Sequence, residues 1–125
     1  MNYEIILFVY SVEVRRWHKK HKTIDFFEDY ENITKFKAEK KKELLHKLLL
    51  FGYKIRGEIN GMISLSLAND DSQKAMLTNR TLRFSTTGDA TELRLYVAEF
   101  LDDKTLSIYH PQTESWLSKE DIMNI

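Results

Sequence analysis

Residues Tyr53–Ala68 read YKIRGEINGMISLSLA, and the fold of the chain turns on how this stretch is understood. On both sides of Asn60-Gly61 the apolar residues recur at every second position, which is the period of a strand with one buried face. Asn-Gly tolerates positive φ at both central positions, as a two-residue type I′ turn requires. An antiparallel hairpin is therefore expected here. The rest of the chain has to be built around a sheet.

Upstream, Gly52 marks a change of period. Asn32 is a suitable N-cap for a helix from Ile33 to about Phe51, and Gly52 is the left-handed residue that stops it. On a helical wheel Ile33, Leu44, Leu48 and Phe51 form one apolar stripe, flanked by Phe36 and Leu45. Lys37 and Lys40 fall inside that stripe, so the helix is expected to pack through its C-terminal half while its lysine-rich start leans outward. Further upstream, Tyr3–Val14 is apolar on both alternating faces from Ile5 to Val12 and reads as a strand covered on both sides.

Downstream, residues 69–79 (NDDSQKAMLTN) read as a connection holding at most a helical turn. Three further strands of a meander are expected at residues 81–86, 91–100 and 105–110. The second of these is ambiguous. Leu93, Val97, Phe100 and Leu101 also fit a helix, with Asp89 and Glu92 as its capping box, but the Leu93/Leu95/Val97 alternation favours a strand. A short helix is expected from Lys119, with Ser118 as N-cap and Leu117 stapled onto Ile122. The fold class is thus α+β: an N-terminal strand, one long amphipathic helix, a mainly antiparallel meander of five to six strands and a short C-terminal helix.

The 125 residues fit a single domain, and the one proline, Pro111, with no Gly/Ser-rich stretch, gives no sign of a linker. Without cysteine there is no disulfide framework, thiolate zinc site or cysteine nucleophile. The longest apolar run, Ile5–Tyr10, is far short of the roughly 20 residues of a membrane helix, and Met1-Asn2-Tyr3-Glu4 is not the basic start of a secretory signal. A soluble protein of a reducing cytoplasm is expected, with no membrane partner.

The net charge of zero conceals a gradient. Residues 1–56 hold 13 Lys/Arg against 8 Asp/Glu, and residues 57–125 hold 6 against 11. Most of the positive charge lies in 15–22 (RRWHKKHK) and 35–42. Arg15, Arg16, Trp17, Lys19, Lys20 and Lys22, with Lys37, Lys40 and Lys41, are the candidate binding residues. Cations of this kind neutralise phosphates and an indole stacks on bases, although lysine runs on helices are commonly just solvated.

Catalytic and metal signals are sparse. If 18–25 is helical, His18, His21 and Asp25 share a face and could carry acid–base or metal chemistry, against which the neighbouring cations argue. Asp70, Asp71, Asp102 and Asp103 would gather at one end of a strict meander as oxygen ligands for a cation, but Asp is also an ordinary turn residue. Arg83 and Arg94, if on one face of paired strands, could clamp an anion, and cross-strand pairing with acids is the common alternative. There is no phosphate loop and no nucleophile elbow, and no cofactor is implied.

Two functional readings survive. One is a non-enzymatic protein that binds another protein and occludes its functional surface, in the manner of immunity proteins, antitoxins or phage inhibitors, docking through complementary charge. The other is RNA or DNA binding, or RNA processing, through 15–22 and the lysine-rich helix.

Overall fold

The computed structural model describes residues 3–9, 35–88, 90–100, 106–110 and 115–117 of the chain. Within them lie seven strands and two helices: β1 (Tyr3–Val9), α1 (Ala38–Leu50), β2 (Tyr53–Ile59), β3 (Met62–Leu67), β4 (Asp70–Leu77), β5 (Thr81–Thr86), α2 (Ala90–Phe100), β6 (Leu106–His110) and β7 (Ser115–Leu117). The strands form one antiparallel sheet in the order β2-β3-β4-β5-β1-β6-β7. The fold is α+β.

The expected hairpin is present. Asn60 and Gly61 adopt φ of 52° and 81°, both in the left-handed region, and join β2 to β3. Gly52, at φ 96°, ends α1 as expected and donates its N–H to the Leu49 carbonyl at 3.1 Å. β1 is buried on both faces: Ile5 and Leu7 join the core under the helices, while Ile6 and Phe8, equally buried, point to the other side. A strand apolar on both faces belongs inside a sheet, and β1 sits between β5 and β6.

Several expectations are corrected. Helix α1 starts at Ala38, not Ile33: Lys37 holds the N-cap position in an extended conformation (ψ 148°) without a side-chain cap. The reason is tertiary. Phe36 is drawn into the core from an extended segment, and its N–H is donated to the Asn79 carbonyl at 2.8 Å. Residues 70–77 are not a connection but the interior strand β4, whose Ala75 and Leu77 face the helices. The Leu93/Leu95/Val97 alternation is also misleading, because residues 90–100 are helix α2. Leu93, Val97 and Phe100 are buried at i, i+4 and i+7, whereas Leu95 is 53% exposed. The sheet is therefore no simple meander: α2 crosses over its face, and the chain re-enters at Leu106 beside Val9. Strand β7 was not expected; the capping residues of α2 at Asp89 and Glu92, the helix expected from Lys119 and the far end of the first strand, 10–14, lie outside what is described.

Both helices cover the same sheet face, and an aromatic cluster locks them there. Phe100 of α2 lies 5.4 Å from Phe84 and, edge-on, 5.6 Å from Phe51, while Tyr53 meets Phe84 and Tyr96 at 6.0 and 5.8 Å. Lys47 of α1 donates to the Glu99 carbonyl at 2.6 Å, in the last turn of α2 where unpaired carbonyls favour a cation, and its ammonium lies 4.9 Å from the Phe100 ring centre. The opposite sheet face carries no helix among the described residues.

Packing energetics make these assignments testable. Leu48→Ala removes a fully buried side chain and should cost about 2–5 kcal/mol in urea unfolding, whereas Leu95→Lys, on the solvent side of α2, should cost under about 0.5 kcal/mol. Burial also pushes the Tyr3 hydroxyl above its ordinary value of 10.0, with the Arg94 charge offsetting part of the effect. Folded Tyr3 thus keeps its proton to higher pH than the unfolded chain. The resulting stabilisation is intact below the unfolded value and is lost as pH rises through the folded one. Above the ordinary tyrosine value of 10.0 the urea midpoint of the native chain should fall more steeply than that of Tyr3→Phe.

Candidate functional site

The sheet face opposite α1 and α2 is where the described residues gather charge around a concavity of about 800 Å³. Its floor follows from strand alternation. In β3, Ile63, Leu65 and Leu67 point to the core, which leaves Met62, Ser64 and Ser66 for the other face. The same rule puts Lys74 and Met76 of β4, Arg83 and Ser85 of β5 and Glu4 of β1 on that side. One row across the strands reads Lys54, Ser66, Lys74, Ser85, Glu4, and the next includes Ser64, Met76 and Arg83.

Two irregularities add to this floor. The β2–β3 register shifts between Ile55 and Gly57, leaving Arg56 as the extra residue of a bulge. A bulge re-aims a side chain, and here the Arg56 Nε donates to Ser66 Oγ at 2.7 Å. In the β3–β4 pair, Ser66 faces Lys74 while the adjacent Leu67 faces Asp70, so Asp71, Ser72 and Gln73 bow out. Asp71 thereby comes to lie 3.7 Å from the Arg56 guanidinium. This is a loose pair, with the Asp71 side chain 89% exposed. At the other side of the groove Arg83 pairs with Glu4 at 3.5 Å, and that arginine is only 13% exposed. The groove thus holds three cations and two carboxylates. Arg56–Asp71 and Arg83–Glu4 each join a charge from the basic half of the chain to one from the acidic half.

The residues singled out from sequence are distributed differently. Arg15, Arg16, Trp17, His18, Lys19, Lys20, His21 and Lys22 lie outside the described residues, as do Asp102 and Asp103. Arg94 is not on a strand: it belongs to α2, across the sheet from Arg83, and donates to Thr91 Oγ1 at 3.0 Å. Asp70 acts locally, its Oδ1 accepting from the Ser72 N–H at 3.0 Å and the Ser72 hydroxyl at 2.6 Å. The strict meander that would have brought it to Asp102 and Asp103 does not exist. No cluster of three or more metal-ligating side chains occurs among the described residues.

The lysines of α1 have separate fates. Lys37 is exposed, Lys40 pairs with Glu43 at 3.6 Å, and Lys41 does not lean outward at all. Its ammonium donates to the Gly61 carbonyl and to Asn79 Oδ1, both at 2.7 Å, tying α1 to the β2–β3 and β4–β5 turns together. Sequence reasoning missed the groove itself. The signal was present in the alternating serines of residues 62–67 and in Arg83 and Ser85, two apart on one strand face, but it depends on which strands lie side by side.

No known protein family matches the chain, and comparison with curated proteins finds none similar to it.

Because the Lys41 ammonium is a structural tether, Lys41→Met should lower stability by about 1–2 kcal/mol and speed amide exchange at Gly61 and Asn79. An unchanged urea midpoint would show that the amine is free for another role.

Proposed function

We propose that this protein works by binding: it covers a functional surface of another protein, as immunity proteins, antitoxins and phage inhibitors do, and presents the sheet face opposite α1 and α2 to that partner. The observation that supports this most is the make-up of the groove. Charges of both signs, with Arg83 and Glu4 paired across neighbouring strands and Arg56 and Asp71 loosely paired over the intervening β3, alternate there with Met62 and Met76. Arginine and methionine are enriched at protein interfaces, and a fixed pattern of charges selects a partner whose potential is complementary. A hydrogen-bonded sheet leaves no backbone loop to order on docking, which lowers the cost of association. The short C-terminal helix expected from Lys119, which lies outside the described residues, is kept as part of the proposal. Binding to RNA or DNA through Arg15, Arg16, Lys19 and Lys20 is the competing reading. On α1 it has Lys35 excluded from the helix and Lys41 and Lys47 tied to carbonyls.

The two are separated by capture from the native cell extract. The expected result is one protein recovered in near-stoichiometric amount by the native chain and lost with Met62→Glu/Met76→Glu at unchanged circular dichroism. Recovery of nothing overturns the reading, and equal recovery by both chains removes the groove from it. Retention of labelled RNA at low salt, lost on charge reversal of Arg15, Arg16, Lys19 and Lys20, would establish the competitor.

A further inference from the structure

The groove also has a chemical asymmetry that a partner surface does not require. Of its polar groups, Arg83 and Glu4 are committed to each other, and Arg56 is held by Ser66. Lys74 and the hydroxyls of Ser64 and Ser85 carry no hydrogen bond or ion pair to the described residues. All three open into the concavity. Lys74 and Ser85 are also neighbours: Lys74 stands between Ser66 and Ser85 in one cross-strand row, about 5 Å from each at the backbone, while Ser64 lies in the next row, opposite Met76. A guanidinium, an ammonium and the free Ser85 hydroxyl thus face one region of the groove. Beside it lies Asp71, whose loose, solvent-held carboxylate is the one group an incoming anion would displace.

From this arrangement we infer a binding site for a phosphate monoester of small-molecule size, its phosphoryl oxygens taken by Arg56, Lys74 and Ser85. A phosphate dianion offers several acceptor oxygens to converging donors, and an arginine with a lysine is a usual pairing for it. A carboxylate would leave donors unused. The concavity, about 800 Å³, is far larger than a bare phosphate fills and falls in the range of small-ligand sites. The remainder is lined on one side by Met62 and Met76, polarizable side chains that suit a flat apolar group such as a nucleobase. The phosphate is therefore expected to arrive on an organic scaffold. This goes beyond the partner-binding reading and does not depend on it.

The test is a titration of the full chain, followed by amide and Arg56 Nε–H chemical shifts, at constant ionic strength. The probes are AMP, inorganic phosphate and succinate. AMP should saturate with shifts centred on Ser66, Lys74 and Ser85, and should bind at least tenfold more tightly than inorganic phosphate. Succinate should bind at least tenfold more weakly than AMP. Lys74→Ala and Arg56→Ala should each weaken AMP at least tenfold, while Asp71→Asn, which leaves the fold's core untouched, should tighten it several-fold. Inorganic phosphate saturating as tightly as AMP would overturn the organic scaffold, and succinate matching AMP would overturn the phosphate assignment. Shifts spread equally over the exposed Lys35, Lys37 and Lys42, or no effect of Lys74→Ala, would overturn the site. None of these outcomes bears on capture of a protein partner, so the two proposals fail separately.

Discussion

The structure depends on a single insertion: the N-terminal strand β1 lies between β5 and β6 and supplies hydrogen-bond partners to both. Without it, the β2–β5 meander and the β6–β7 pair would each present an open edge, and unpaired edges are sites of aggregation. Ile5, Leu7, Phe84 and Ile108 form a continuous patch across β5, β1 and β6, on which the helices rest. The pairing is non-local, joining Tyr3 to Thr86 and Leu7 to Ile108. The entropy of closing those loops is lost before the contacts return it, so a late and cooperative insertion is the natural order of folding.

The sheet face opposite α1 and α2 acquires its character from departures from regularity. In an unbroken β2, alternation would leave the strand's side chains in strict order. The bulge at Arg56 interrupts this and turns a guanidinium over Ser66. The matching bow in β4 projects Asp71 toward it. The same bulge also disturbs the outermost strand, whose residues 54–59 are all exposed and include Lys54, Arg56 and Glu58. A bulged, charged edge is a poor template for a further strand. One local irregularity therefore protects the edge and builds the groove.

How much of this was legible follows from which residues carried each signal. Asn60-Gly61, Gly52 and Asp70 were readable because turn and cap chemistry acts within a few residues, and each does in the structure what its side chain or backbone freedom predicts. The double-sided burial of Ile5 to Phe8 was readable because polar alternation is missing there. Residues 90–100 were not, since Leu93, Leu95 and Val97 satisfy a period of two while Leu93, Val97 and Phe100 satisfy 3.6. Only the aromatic pocket formed by Phe51, Tyr53 and Phe84 selects the helix, by burying Phe100. Residues 70–77 were hidden for a related reason. Their polar start, DDSQK, has little strand propensity and is extended because β3 and β5 lie on either side.

By itself, then, the sequence determined the turns, the end of α1, the two-sided apolar strand and the α+β class, all consequences of short-range sterics and of periodicity. The tertiary structure alone decided the position of β1 in the sheet, the helical state of 90–100, the late start of α1 at Ala38 and the meeting of Arg56, Lys74 and Arg83 over one groove. Those outcomes turn on which distant segments become neighbours. Periodicity records how a residue is oriented in its own element and carries nothing about what stands beside it.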